Sequence, residues 1–321
     1  SIFYLNWVLW KGGTIMAYQK KEEVDRSKIS RTRGDKVFDA VCAVMMVALC
    51  LIVAYPIWFV IIASFSDPYY ITTGEVLFVP KGVSLNAYKL LLQRSDVWIG
   101  YRNSIFYTVV GTCLNMIVTL PAAYALSRKE LAGRRWIMLY FTFTMFFNGG
   151  MIPTYMLVRD LKLVNTPWAL LLPTILNVFN LIIARTFFES TISDAMIEAA
   201  TIDGASNAKT FFSIVLPLSP AIIAVLILYY GLAHWNSYFN AMIYISDQSL
   251  QTLQVIIKNI MAAIDVTTTD GLSPEVIAER IKTKELVKYA VVVVSTVPAL
   301  AIFPFVQKYF VKGVMVGAIK G

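Results

Sequence analysis

The sequence predicts an all-α, polytopic membrane protein with six transmembrane helices. Composition is the first reason. Of 321 residues, 58% are hydrophobic and only 15% charged, where a soluble domain carries about 45–50% apolar and about 25% charged residues. The second is six stretches without Asp, Glu, Lys or Arg: 40–66, 103–127, 136–158, 163–184, 210–246 and 289–307. A bilayer-spanning helix needs about 20 apolar residues, so five stretches fit one span each. The third is that they run continuously apolar instead of alternating, over lengths beyond a barrel strand.

In chain order, 1–36 is an N-terminal segment and 37–66 the first transmembrane helix. A loop follows at 67–102, then a core domain at 103–307 and a tail at 308–321. The fifth stretch is too long for one straight helix. Pro217 and Pro220 near its start place the span at 219–244, entered through a turn. Six spans put both termini on one side of the membrane. That side collects 17 of the 28 Lys and Arg residues and 10 of the 20 acids, a net of +7 against +1 opposite. Lys and Arg mark the cytoplasmic side, so both termini, the loop 128–135 and the loop 185–217 are expected there. The loops 67–102 and 247–288 then lie outside. The overall charge of +8 thus reports topology, and no nucleic-acid partner is expected.

The first fifteen residues are too short to span and lack a signal peptide's basic start. They read either as an interfacial piece anchored by Trp7 and Trp10 or as sequence upstream of a start at Met16. Lys11-Gly12-Gly13 can be encoded by codons that contain a ribosome-binding sequence. Cys42, Cys50 and Cys113 lie in apolar runs without metal-ligand spacing and read as small buried residues. His234, the one histidine, leaves little for a metal cluster or a hydrolase triad.

The loop between the fourth and fifth stretches is the most distinctive. Asp194–Ile202 reads as a short helix with Ser193 or Asp194 as its cap and Ala195, Ala199 and Ile202 as an apolar stripe. Gly204 supplies a left-handed stop. A second short helix over 205–214 ends before Pro217. Such a knob suits either docking in a partner's groove or an amphipathic return to the membrane. Gly204 with Lys209-Thr210 only superficially resembles a phosphate loop. It lacks the glycine beside the lysine and follows no strand, so no nucleotide is expected on this chain.

The run EAATIDGASNAKTFFSIVLPLSP at 198–220 resembles the EAA loop of ABC-importer permeases. The stretch 103–128 resembles the start of that family's transmembrane domain, and 151–173 and the tail KYFVKGVMVGAIKG at 308–321 are similar to its MalG-type, carbohydrate-importing branch. The likeness covers 37–321. Ser193 departs from the proline frequent before the EAA helix. The resemblance implies the ABC transporter type I permease fold in a bacterial cytoplasmic membrane. It implies a transport subunit, not an enzyme, with ATP and Mg held by two partner ATP-binding subunits. The other implied partners are a second, homologous permease, an extracellular or periplasmic solute-binding protein and membrane lipid. Glu198, Ala199, Ala200, Asp203, Gly204, Ile214, Leu216 and Pro217 become the ATPase-coupling set, and 247–288 the region facing the binding protein. Transport would alternate between inward-open and outward-open states. Similarity to polysaccharide-uptake permeases implies an oligosaccharide substrate, with a uronate-containing one from pectin or alginate among the candidates.

Candidates for a translocation pathway are polar groups inside the spans: Asn115, Asn148, Tyr155, Asn177, Asn180, Tyr230, His234 and Tyr238. Tyr230, His234 and Tyr238 share a helix face, and aromatic faces with amides suit sugar rings and hydroxyls. The same groups equally suit interhelical hydrogen bonding. Asn148-Gly149-Gly150 equally suits the outer end of the third span. The rival class, an ion-coupled secondary transporter, usually carries acidic residues within its spans. The six stretches have none.

Overall fold

The computed structural model describes residues 32–264, 273, 275, 281–285, 287–298, 300 and 301. Expectations for 1–15, Met16 and the tail 308–321 lie outside the described residues. All regular structure among the described residues is helical. The chain divides into two compact units, Ser1–Trp58 and Phe59–Gly321.

Helix α1, Arg33–Ser64, supplies the described structure of the first unit. Its start is a reciprocal cap: Asp35 N–H donates to Thr32 Oγ1 at 3.2 Å, and Thr32 N–H to Asp35 Oδ2 at 2.9 Å. Beyond that turn its large apolar side chains, from Val37 to Trp58, stand exposed. An all-round apolar helix of this kind requires lipid or another membrane helix around it.

The second unit opens with short helices α2, Pro68–Thr72, and α3, Asn86–Leu92. It is built on α4, Ser95–Ser127, against which α8, α11 and α13 pack. Next come α5, Arg134–Phe146, α6, Met151–Asp160, α7, Trp168–Leu171, and α8, Val178–Thr191. Then follow α9, Asp194–Ile202, and α10, Asn207–Thr210, which runs on into a π-helical turn, Phe211–Val215. Next come α11, Pro220–Trp235, α12, Phe239–Tyr244, and α13, Leu253–Ile264, and residues 281–285 and 287–298 are helical again.

By length and composition α1 and α4 can each cross a membrane as one helix. A third candidate joins Asn207–Val215 to Pro220–Trp235 across an 89° bend. One unbroken helix per apolar stretch is therefore incorrect for the third to fifth. The third breaks where Asn148 Oδ1 accepts the Gly150 N–H at 2.9 Å and Gly150 turns with φ +82°. Its 13-residue α5 is about 20 Å long, short of an apolar layer of about 30 Å. The fourth breaks around Pro173, and Asn177 restarts it by accepting the Asn180 N–H at 3.1 Å. The fifth begins its main helix at Pro220, as expected, but stops at Trp235 and resumes at Phe239.

Elsewhere, side chains pair backbone groups that no helix satisfies. Asn103 Nδ2 donates to the carbonyls of Ser249 and Gln251 at 2.8 and 3.0 Å. Ser104 Oγ accepts the Leu253 N–H at 2.9 Å and so caps α13. Gly100 makes that approach possible, since a Cβ there would lie 2.9 Å from Leu253 Cα. The cysteines correct a second expectation: Cys42 is half-buried, and Cys50 and Cys113 are exposed. An apolar run in a membrane protein can face lipid as well as core.

Candidate functional site

The loop at 198–217 folds as α9 followed by α10 with its π-helical turn, the latter pair bent by 89° from α11. Helix α9 ends at Asp203, and Gly204 turns the chain at φ +73°. Ser193 holds the cap position in extended conformation, but its side chain makes no capping bond. Asp194 is occupied elsewhere: Arg128 Nη2 reaches its Oδ1 at 3.1 Å and Lys129 Nζ its Oδ2 at 2.7 Å. The hydrogen bond and charge of Lys129 hold this carboxyl below its ordinary value. A further clamp joins Glu189 to Arg134 at 3.0 Å and to Arg185 at 2.7 Å.

The face that α9 buries differs from the one its spacing suggested. Ala200 is buried, and Ile197 packs on the core cluster of Tyr124, Phe188 and Phe211. Ala195, Ala199 and Ile202 point away, and Ile202 is 86% exposed. The apolar stripe is thus a free surface, with the exposed Glu198 and Asp203 on the same short helix and its end. Behind it, Phe211 and Val215 enter the core, with Phe211 tilted against Tyr124 at 5.3 Å. Ile214 and Leu216 are half-buried and Pro217 exposed. A recess of about 960 Å³ runs between Tyr124, Arg128, Ile197, Glu198 and Phe211.

Of the eight pathway candidates, five line one cavity of about 720 Å³: Asn177, Asn180, Tyr230, His234 and Tyr238. Asn236, Ser237 and Asn240 line it too. A hydrogen-bonded frame holds its wall. Tyr230 Oη lies 2.7 Å from Thr119 Oγ1 and receives the Asn177 N–H at 3.3 Å. Asn115 Nδ2 donates to the carbonyls of Thr174 and Ile175, at 2.7 and 2.8 Å. Its oxygen is left to face His234 Nε2 at 2.7 Å, which assigns the proton to Nε2. Tyr238 Oη contacts Met242 Sδ at 3.2 Å.

The other three candidates sit elsewhere. Asn115 is buried in the frame behind the cavity. Asn148 makes the turn after α5, and Tyr155 stacks on Tyr244 with ring centres 6.0 Å apart. Sequence reasoning missed Thr119, the clamp at Asp194 and the close approach of Gly111 to His234. Thr119 gave no signal beyond a hydroxyl in an apolar stretch. Arg128 and Lys129 were visible as loop charges, without their partner.

The fold and the exposed two-helix loop define a membrane-resident transport subunit, and comparison with known proteins places it. Residues 97–316 match the family model of the binding-protein-dependent transport system inner membrane component. The chain belongs to that family and is an ABC-importer permease. It is 37% identical, over 89% of this chain and 99% of the relative, to the polygalacturonan/rhamnogalacturonan transport system permease protein YtcP of Bacillus subtilis (strain 168). It is 29% identical to the trehalose/maltose transport system permease protein MalG of Thermococcus litoralis, over 87% of this chain and 95% of that protein. Among solved structures it resembles a chain of a bacterial ABC transporter involved in the import of the acidic polysaccharide alginate. That match has a TM-score of 0.78 and 33% identity, and covers 88% of this chain and 99% of the other.

Proposed function

We propose that this permease subunit carries an acidic, uronate-containing oligosaccharide across the cytoplasmic membrane by alternating access. It pairs with a second permease, two ATP-binding subunits and a solute-binding protein outside the cell. The chain crosses the membrane six times with both termini cytoplasmic, the broken stretches acting as bent or interrupted spans. The observation that carries the coupling part is the outward apolar face of α9. A helix pinned at its start by Asp194 and along its inner face by Ile197 and Ala200, with Ala195, Ala199 and Ile202 free, is a rigid tip on which a moving ATPase can act. Glu198, Asp203 and Gly204 belong to this tip. Ala200, Ile214, Leu216 and Pro217 anchor it. The substrate class rests on the relatives at 37% and 33% identity, named for pectin-type polymers and alginate. The cavity's amides and aromatic rings suit sugar hydroxyls and ring faces.

The test is Ile202→Cys in the two-permease complex, with and without its ATP-binding subunits, and with Cys42, Cys50 and Cys113 replaced by serine. A membrane-impermeant maleimide is expected to label it in inverted vesicles and not in right-side-out ones. Bound ATP-binding subunits should protect it. Labelling from the outside would overturn the orientation. Equal labelling with and without those subunits would overturn the docking assignment. Uptake of oligogalacturonate against neutral maltotriose in the same vesicles tests the substrate class.

A further inference from the structure

We propose that the recess between α5 and α8 binds one anionic phospholipid of the cytoplasmic leaflet, its headgroup phosphate on Arg135 and Arg185. Its acyl chains would lie along α5. The recess has a volume of about 580 Å³ and is lined by Arg135, Trp136, Leu139, Thr142, Ile182 and Arg185, among others. Its chemistry is graded. Two guanidiniums come from the start of α5 and from α8, and a tryptophan stands beside them. Leu139 and Ile182 continue the wall as plain hydrocarbon. That order follows a lipid from phosphate through the interface to the acyl chain, and basic pockets between membrane helices take anionic headgroups in this way.

Arg185 and Arg135 have different parts. Arg185 is committed: Nε donates to the Leu126 carbonyl at 3.1 Å, and Nη2 pairs with Glu189 at 2.7 Å. It is a fixed wall. Arg135 is exposed and has no hydrogen bond or ion pair among the described residues, so its donors are free for a phosphate. Its depth is set by the neighbouring Arg134, which bonds to Ser127 O at 3.3 Å and Glu189 at 3.0 Å. The recess therefore lies beside the Glu189 clamp and the end of α4, at the end of the bundle proposed to be cytoplasmic. Helix α5 itself buries no side chain. Trp136 is 74% and Phe146 72% exposed, so this side of the helix needs an apolar cover. The paired charge at its foot selects a lipid with a negative headgroup.

The experiment is native mass spectrometry of the assembled transporter after delipidation, titrated with dioleoyl-phosphatidylglycerol or dioleoyl-phosphatidylcholine. Wild type is expected to retain phosphatidylglycerol preferentially. Arg135→Gln should weaken that retention about fivefold, the worth of one basic residue at an anionic surface, and leave phosphatidylcholine unchanged. Arg135→Lys should keep most of the preference. Equal retention of the two lipids by wild type, or unchanged phosphatidylglycerol binding in Arg135→Gln, would overturn the site. Displacement of the lipid by millimolar inorganic phosphate would reassign the arginines to a free anion. Loss of the second permease from the Arg135→Gln complex would reassign the face to a subunit contact. Binding is read without transport, so failure of the oligosaccharide assignment leaves this result standing.

Discussion

Gly111→Ala puts the frame behind the cavity to a quantitative test. A Cβ at position 111 would stand 2.5 Å from His234 Nε2 and 2.6 Å from Cε1. An ordinary contact between such atoms is about 3.5 Å, so the ring must retreat by about 1 Å. That stretches the 2.7 Å bond to Asn115 beyond hydrogen-bonding range. Overpacking costs about 1–3 kcal/mol, and an unpaired buried donor or acceptor about 1–3 kcal/mol more. The expected loss is about 2–6 kcal/mol, read as a lower thermal-aggregation midpoint of the purified permease complex. Gly111→Ala with His234→Ala should cost less than the sum of the two single changes, because the second removes the clash made by the first. Strict additivity, or an unaltered midpoint in Gly111→Ala, would refute both the close approach and the frame.

Other consequences follow from the same geometry. Asn115→Leu strands the carbonyls of Thr174 and Ile175 and the His234 Nε2–H. It should cost at least about 3 kcal/mol, whereas Asn115→Asp, measured in the same thermal assay, keeps the histidine bond. A Cβ at position 204 would meet no atom within 4 Å, so Gly204→Ala is strained only through its φ of +73°, by about 1–2 kcal/mol. Insertion should be normal and uptake reduced, with Gly204→Asn closer to wild type. Glu198→Lys should abolish ATP-driven uptake without loss of insertion, and normal uptake would remove Glu198 from the coupling face. Asp194 has its carboxyl lowered by Lys129. The pair is therefore complete at neutral pH and is lost only as pH falls through that lowered value. ATPase coupling should show no inflection from this pair across about pH 5–8, and Asp194→Asn should weaken coupling at every pH in that range.

The helices and the two-helix loop at 194–217 were legible in the sequence for different reasons. The loop is specified locally: a nine-residue helix, one glycine in the left-handed region and a proline-rich exit are all short-range signals. Its orientation was not legible, because Ala195, Ala199 and Ile202 have the spacing of a buried stripe. Which stripe is buried depends on Tyr124, Phe188 and Phe211, which come from three other segments. The breaks within the third and fourth apolar stretches were hidden for a related reason. Hydropathy counts apolar side chains, whereas a break needs only Gly150 or Pro173 and a distant donor such as Asn115 to make it tolerable. Polar residues inside spans could be found by eye. Whether each faces the cavity or the frame could not, since Asn115 and Asn180 differ in role and not in type.

The placement of the polar frame bears on how motion at α9 could reach the cavity. The core cluster behind α9 contains Tyr124 of α4, Phe188 of α8 and Leu226 of α11, so a push on α9 would be shared by three helices at once. Farther along, α4 and α11 are tied again by Thr119 to Tyr230 and Asn115 to His234, which opposes sliding of one past the other. The unwound residues 173–177 and 236–238 lack an internal backbone ladder, and both border the cavity. Under the proposed coupling, the packed helices move as a body and these two segments absorb the change in backbone angle. Asn115 then has a second consequence: its two bonds to 174 and 175 tie one flexible segment to the rigid body. Asn115→Asp, which releases those carbonyls while keeping His234 in place, should leave ATP hydrolysis intact and reduce the sugar moved per ATP. Equal loss of hydrolysis and transport would instead make the segment a passive part of the body.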